Sequence, residues 1–124
     1  MSVRLDFQHF TRQLQLPNQA LIAPDRFAEA LHLQQQDLAE LARVHRSTIS
    51  AAPGNARLQG FMRNTLRVLS AASEVQGDRQ GAIYWYRNTP IPDFGHRTAE
   101  QLVSEGKTDT VISYLTSIAS GSSG

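Results

Sequence analysis

Residues 33–50 read LQQQDLAELARVHRSTIS. Leu38, Leu41 and Ala42 fall on one face of a helix, and Ala39 is small enough for another helix to approach closely. The periodicity breaks at Val44 and resumes in Arg46-Ser47-Thr48-Ile49-Ser50, a run of donors and hydroxyls holding one apolar residue. Two helices joined by a tight turn, the second short, polar and arginine-bearing, spell a helix-turn-helix. A plain helical hairpin shares the same spacing. In the first reading Leu38 and Leu41 pack, Val44 fills the turn from below, and Ile49 anchors the second helix. Arg46, Ser47, Thr48 and Ser50 then face outward, toward a groove wide enough for one helix. Gln35 is placed to touch the phosphate backbone, and Arg43 and His45 complete the expected DNA-binding set.

Charge around this stretch is unevenly spread. After Glu40 the next acid is Glu74, and Arg43, Arg46, Arg57, Arg63 and Arg67 lie between them. From Glu74 onward Asp78, Asp93, Glu100, Glu105 and Asp109 bring the acids to six, against Arg79, Arg87, Arg97 and Lys107. The net charge of +1 hides this division. A basic middle and a mildly acidic end point to two different partners, although a charge run also suits a solvated helix face. Arginine is the residue suited to phosphate and guanine recognition.

Outward from the pair, the pattern stays helical. Leu5, Phe7, Phe10, Leu14 and Leu16 could line a short helix, and Pro17 and Pro24 break up any long element between them. Residues 1–24 therefore read as an N-terminal arm, partly helical, packed on the rest. Phe27, Ala28 and Leu31 repeat at helical spacing. Pro53-Gly54-Asn55 stops the polar helix. Leu58, Phe61, Met62, Thr65, Leu66, Leu69 and Ala72 form the longest periodic stretch, over 56–73, with Gly77 at its end. Residues 79–86 predict another helix, with Trp85 in the core. Thr98 and Gln101 have capping-box spacing, and Gly106 suits a C-terminal cap. A last helix over 108–119 puts Val111, Tyr114, Leu115 and Ile118 on one side. No strand pattern or internal repeat is present.

Composition narrows the classes. At 124 residues and 40% hydrophobic, the chain suits one compact domain or two small ones sharing a core. Cysteine is absent, which excludes disulfides, thiolate metal sites and thiol catalysis. His9, His32, His45 and His96 sit in different elements without metal-ligand spacing. The glycines form no phosphate loop, and no nucleophile accompanies Asp93 and His96. The expectation is no catalytic residue, no metal and no cofactor. No apolar run approaches a membrane span, and MSVRLDFQHF is too polar for a signal peptide, so a cytoplasmic chain is expected.

Two resemblances join these readings. L-x-Q-x-x-L-A-x-L-x-x-V-x-R-S-T-I-S, from Leu33 to Ser50, resembles the Xre-type (lambda-repressor-like) helix-turn-helix, with Arg43 where glycine is common and His45 where a small N-cap is usual. The series Trp85-Tyr86, Asn88-Thr89-Pro90, Phe94-Gly95-His96-Arg97-Thr98-Ala99-Glu100, Gly106, then Val111 to Gly121 resembles the C-terminal toxin-binding domain of the Xre/MbcA/ParS antitoxins. Here Tyr86 replaces Leu, His96 a frequent Gly, and Ala99 a Pro. Together they cover about residues 25–121, in the family's order.

What the resemblance implies is an all-α protein: an N-terminal Xre-like helix-turn-helix bundle followed by a small helical toxin-binding domain. The expected divisions are an arm (1–24), the DNA-binding region (25–55), a connecting or dimerisation helix (56–77), the toxin-binding domain (78–121) and a flexible tail (122–124). It further implies an antitoxin that binds operator DNA as a homodimer, represses its own operon and neutralises a RES-type toxin that consumes NAD. Arg97, Lys107, Tyr114, Ser117, Ser120 and Gly121 are the expected toxin-binding residues. Two alternatives stay open: an interaction module with a vestigial helix-turn-helix, and a stand-alone transcriptional regulator.

Overall fold

The computed structural model describes residues 2–121; the tail expected at 122–124 lies outside them. The chain is all-α. It runs α1 (Val3–Leu14), α2 (Pro24–Ala30), α3 (Gln35–Ala42), α4 (Arg46–Ala51), α5 (Ala56–Gln76), α6 (Arg79–Asn88), a 3-10 turn (Pro92–Phe94), α7 (Ala99–Ser104) and α8 (Thr108–Gly121). Two isolated antiparallel bridges, Gln15 with Ile22 and Ile91 with Arg97, are the only extended pairings among the described residues. No described helix is long and apolar enough to cross a membrane.

Several helices start where a side chain can accept from the first free N–H groups. Ser2 caps α1, accepting from Leu5 N at 3.1 Å. Asn55 Oδ1 accepts from Arg57 N and Leu58 N at 3.0 and 3.1 Å and starts α5. The predicted capping box opens α7: Gln101 N donates to Thr98 Oγ1 at 3.1 Å, and Thr98 N donates to Gln101 Oε1 at 2.9 Å. Gly77, at φ 87°, ends α5 in the left-handed region that glycine adopts without a Cβ clash.

The long helix α5 is the axis of the fold. It packs against α1, α3, α6, α7 and α8. Every apolar position read from its periodicity is buried, from Leu58 through Ala72. Two of its buried polar residues are paired across the core. Gln59 closes the α1–α2 loop, accepting from Ile22 N at 3.0 Å and donating to Ile22 O at 2.8 Å. Thr65 Oγ1 meets the Tyr86 hydroxyl at 2.6 Å. Burial pushes the Tyr86 hydroxyl far above the ordinary phenol range, and the Thr65 bond pulls it only partly back.

Three expectations change at this level. Tyr86, not Trp85, occupies the centre of the core; Trp85 packs against its edge, half-buried. The reason is register: α6 turns Ala82, Ile83 and Tyr86 inward together. On α1, Phe7, Phe10 and Leu14 form the buried stripe, while Leu5 points outward at 50% exposure. Leu16 lies beyond the helix and is half-buried. Arg79 fastens α1 to α6, with its guanidinium 4.6 Å from the Phe10 ring centroid and 3.4 Å from Asp6 Oδ2.

A second fastening joins the end of α2 to the C-terminal half. Arg87 Nε donates to Glu100 Oε2 at 2.9 Å, and its Nη1 donates to Leu31 O at 2.9 Å and His32 O at 3.3 Å. Those carbonyls end α2 and have no intrahelical partner. Burial raises the Glu100 pKa above the usual carboxylate range; the charge and hydrogen bond of Arg87 pull it down, and Asp37 pushes it further up.

A carboxyl with a raised folded-state pKa favours the fold fully below its unfolded value, near about 4.3. That contribution is lost as pH rises through the folded value. Gln in place of Glu100 keeps an acceptor for Arg87 and removes the titration. Urea denaturation of Glu100→Gln from mildly acidic to neutral pH should therefore show the variant gaining on the wild type as pH rises. A gap that is constant or that moves against the variant with rising pH would show that the ion pair outweighs desolvation.

Candidate functional site

Helices α3 and α4 are joined by Arg43, Val44 and His45. The turn is set by a helix-ending motif: Val44 N donates to Ala39 O at 3.0 Å, and Arg43 N donates to Glu40 O at 3.2 Å. The motif places Arg43 in the left-handed region, at φ 60° and ψ 45°. The same pair of bonds ends α2, with Leu33 N on Ala28 O and His32 N on Glu29 O, and puts His32 at φ 59°. It also ends α7, where Gly106 takes the position. Two of three such corners thus carry a side chain at a backbone cost of about 1 kcal/mol each.

The turn aims α4. Ile49 is buried, and Val44 packs half-buried against the core. Arg46, Ser47 and Ser50 are exposed, and Thr48 is half-buried. His45 precedes the helix, exposed and without a side-chain cap bond, and Gln35 is exposed in the first turn of α3. Ile49 and Val44 turn inward and Arg46, Ser47 and Ser50 outward, as the spacing predicts; Thr48, also expected outward, is partly covered. Arg46 makes no ion pair or side-chain hydrogen bond among the described residues.

Arg43 has a role that local pattern did not signal. Its Nε donates to Ser104 O at 2.9 Å, and Ser104 Oγ donates to Leu41 O at 2.6 Å. Arg57 Nη1 donates to Arg43 O at 3.3 Å. The end of α3 is thus bonded to the end of α7, and an open cleft of about 500 Å³ borders this junction. Arg43 is exposed, yet its guanidinium is oriented by the C-terminal half.

The other predicted residues gather around Phe94. Arg97 Nη1 and Lys107 Nζ converge on Glu105 Oε1, at 3.2 and 3.7 Å. One shallow hollow is bordered by Phe94, Arg97, Lys107 and Thr110, and the next by Phe94, Thr110, Tyr114 and Ser117. Phe94 and Tyr114 meet edge to face, with centroids 5.6 Å apart. The 3-10 turn holds Phe94 there, closed by Gly95 and His96 at φ 68° and 63°. Tyr114, Ser117 and Gly121 recur on one face of α8 at three- and four-residue spacing. Ser120 lies on the same helix, its Oγ bonded to Thr116 O at 2.9 Å. Phe94, part of the family-like series but not of the expected toxin-binding set, borders both hollows. Its signal is a large apolar side chain in a glycine- and proline-bounded loop.

The molecule is thus an all-α protein carrying a helix-turn-helix pair and a C-terminal helical unit with its own exposed surface. Residues 71–121, from the last turns of α5 through α8, match the family model described as the antitoxin Xre/MbcA/ParS C-terminal toxin-binding domain. The match starts inside α5, where Ala72 and Ser73 are buried. No curated protein and no solved structure matches the chain. The match supports an antitoxin role with a toxin as partner.

Arg43 gives a sharp test of the corner. Arg43→Ala loses the Ser104 bond and keeps the left-handed strain, and should cost about 1–2 kcal/mol. Arg43→Gly loses the same bond and releases the strain, so it should lie within about 1 kcal/mol of wild type. Chemical denaturation of both variants checks this; equal losses would mean that the corner is not strained.

Proposed function

We propose that the chain is an antitoxin that silences an NAD-consuming, RES-type toxin through its C-terminal surface and represses its own operon as a homodimer. The toxin class rests on the family resemblance. The observation that carries the DNA-binding half is the orientation of α4. Its apolar anchors Val44 and Ile49 are turned in, and Arg46, Ser47 and Ser50 are presented to solvent. Those residues, with Gln35 and His45, can reach phosphates and base edges in a major groove, and Thr48 lies at their margin. Two-fold operators match two-fold proteins, which is the reason to expect a homodimer.

The C-terminal surface around Phe94 and the exposed face of α8 supports the toxin-binding half. Arg97 and Lys107 offer charge at its edge, and Tyr114, Ser117, Ser120 and Gly121 continue it along the helix. The chain acts here by occupying a surface of the toxin, so this reading asks no catalysis of its own residues.

One observation favours a second reading, an interaction module that has lost DNA binding. Arg43, an expected DNA contact, has its Nε bonded within the molecule. Salt separates the two. With about six phosphate contacts, affinity for the promoter duplex should fall on the order of 10³-fold between roughly 50 and 200 mM salt. Arg46→Ala should lose about 1–3 kcal/mol of operator affinity if Arg46 pairs with a guanine. A gel shift in which Arg46→Ala binds as wild type removes Arg46 from base reading, and a promoter duplex that never shifts supports the second reading.

The toxin surface has its own test. Tyr114→Ala removes an aromatic of the kind that dominates interfaces and should weaken the toxin complex by about 2 kcal/mol or more. Operator affinity should be unchanged. Cells coexpressing this variant and the toxin should grow poorly; normal growth with an undiminished affinity would place the toxin elsewhere.

A further inference from the structure

Between α1 and α5 lies an open hollow of about 760 Å³ that neither proposed site uses. Its floor is apolar, made by Phe7, Ile22 and Leu66. Its border carries Arg12 from α1 and Arg63 and Arg67 from α5, and no acidic residue lines it. All three arginines are exposed. Arg12 and Arg63 have no ion pair among the described residues, and Arg67 has only a long, exposed one, 3.4 Å to Asp109. Such an exposed pair contributes little and yields readily to a better partner. Leu5 stands seven residues before Arg12, two turns away on the same side of α1, and is one of two large apolar side chains left exposed among the described residues.

We infer that this groove seats an acidic amphipathic segment of a protein partner, with apolar side chains on Phe7, Ile22 and Leu66 and carboxylates on Arg12, Arg63 and Arg67. The inference stands apart from the toxin and operator readings, since it uses none of their residues. The occupant is identified by charge and shape. A helix laid in a groove between two helices is held by apolar contacts along its floor and fixed in register by ion pairs at its rim.

Other occupants fit less well. A phosphate backbone takes its contacts from protruding cations and hydrogen-bond donors, and an apolar floor offers it nothing. A second copy docked two-fold on α5 would set Arg63 and Arg67 against their own copies, and like charges in contact disfavour an interface. A second copy docked by another face would need acids beside exposed apolar side chains. Apart from Leu5, the large apolar side chain exposed among the described residues is Tyr84, flanked one turn away by Gln80 and Asn88.

The test uses the full chain and three labelled probes. One is an amphipathic peptide with glutamates on one face and leucines on the other, one is its twin with glutamines for the glutamates, and one is a mixed-sequence DNA duplex. Fluorescence anisotropy should show the acidic peptide binding about tenfold or more tightly than its twin. Arg12→Glu/Arg63→Glu should lose that binding and keep the wild-type helical content and melting temperature, because both side chains are exposed. Leu66→Gln, which alters the floor without changing charge, should weaken the peptide as well. Arg46→Ala should leave it unchanged.

Four outcomes overturn the inference. The first is equal binding of the two peptides, and the second is peptide binding that survives Arg12→Glu/Arg63→Glu. The third is a duplex that binds with the same dependence on Arg12 and Arg63 while the peptide does not. The fourth is a change in the protein's own mass in solution on reversing these charges, which would assign the groove to a second copy.

Discussion

The last carbonyls of α2 and α3 have no partner inside their own helices, and the rest of the structure is organised by how they are satisfied. A helix end left dry and unpaired costs about as much as a lost hydrogen bond for each group. Here the donors come from far along the chain. Arg87 reaches Leu31 O and His32 O, and Ser104 Oγ reaches Leu41 O. In return Ser104 O accepts from Arg43. The helix-turn-helix is therefore completed by the C-terminal half, through Ser104, some sixty positions along the chain from Leu41 and Arg43.

This arrangement explains why Arg43 holds a position where glycine is easier. Glycine would remove the strain of φ 60° and would also remove the guanidinium that bonds to α7. A net hydrogen bond contributes about 0.5–1.5 kcal/mol, close to the backbone cost, so the two nearly cancel in stability. What the arginine adds is orientation. Arg57 donates to the Arg43 carbonyl and fixes the same corner from the start of α5. The turn is held from two directions, and the direction of α4 is fixed with it.

Sequence periodicity revealed most of the fold because the dominant forces along α5 and α3 are local. Leu58, Met62, Leu66 and Leu69 repeat on one stripe, and Thr98 with Gln101 declares a helix start by short-range geometry. The inward turn of Val44 and Ile49 was legible for the same reason. Partner choice across the chain was not legible. Whether Trp85 or Tyr86 enters the core depends on the rotation of α6 against α5, where the Tyr86 hydroxyl meets Thr65, twenty-one residues earlier. Nothing near Arg43 announces Ser104, and nothing near Arg12 announces Arg63. The surface around Phe94 was half legible. Its α8 residues share a periodic face, whereas Phe94 reaches them only through a turn closed by two left-handed residues.

The same distinction accounts for how charge is used. Arg79, Arg87, Arg97 and Lys107 each sit against a carboxylate, with Arg97 and Lys107 sharing Glu105, so the cations of the C-terminal half are largely offset by acids. Of the five arginines between Glu40 and Glu74, Arg67 alone has an acidic partner among the described residues. Arg43 and Arg57 bond to carbonyls, which orients them and leaves their charge in place. The positive potential of a nearly neutral chain is thereby concentrated on α4 and the outer side of α5. Within a Debye length of roughly 8–10 Å that potential draws anionic partners to this half. The C-terminal surface differs: its cations lie against carboxylates, and its half-buried aromatic pair, Phe94 and Tyr114, offers shape more than charge.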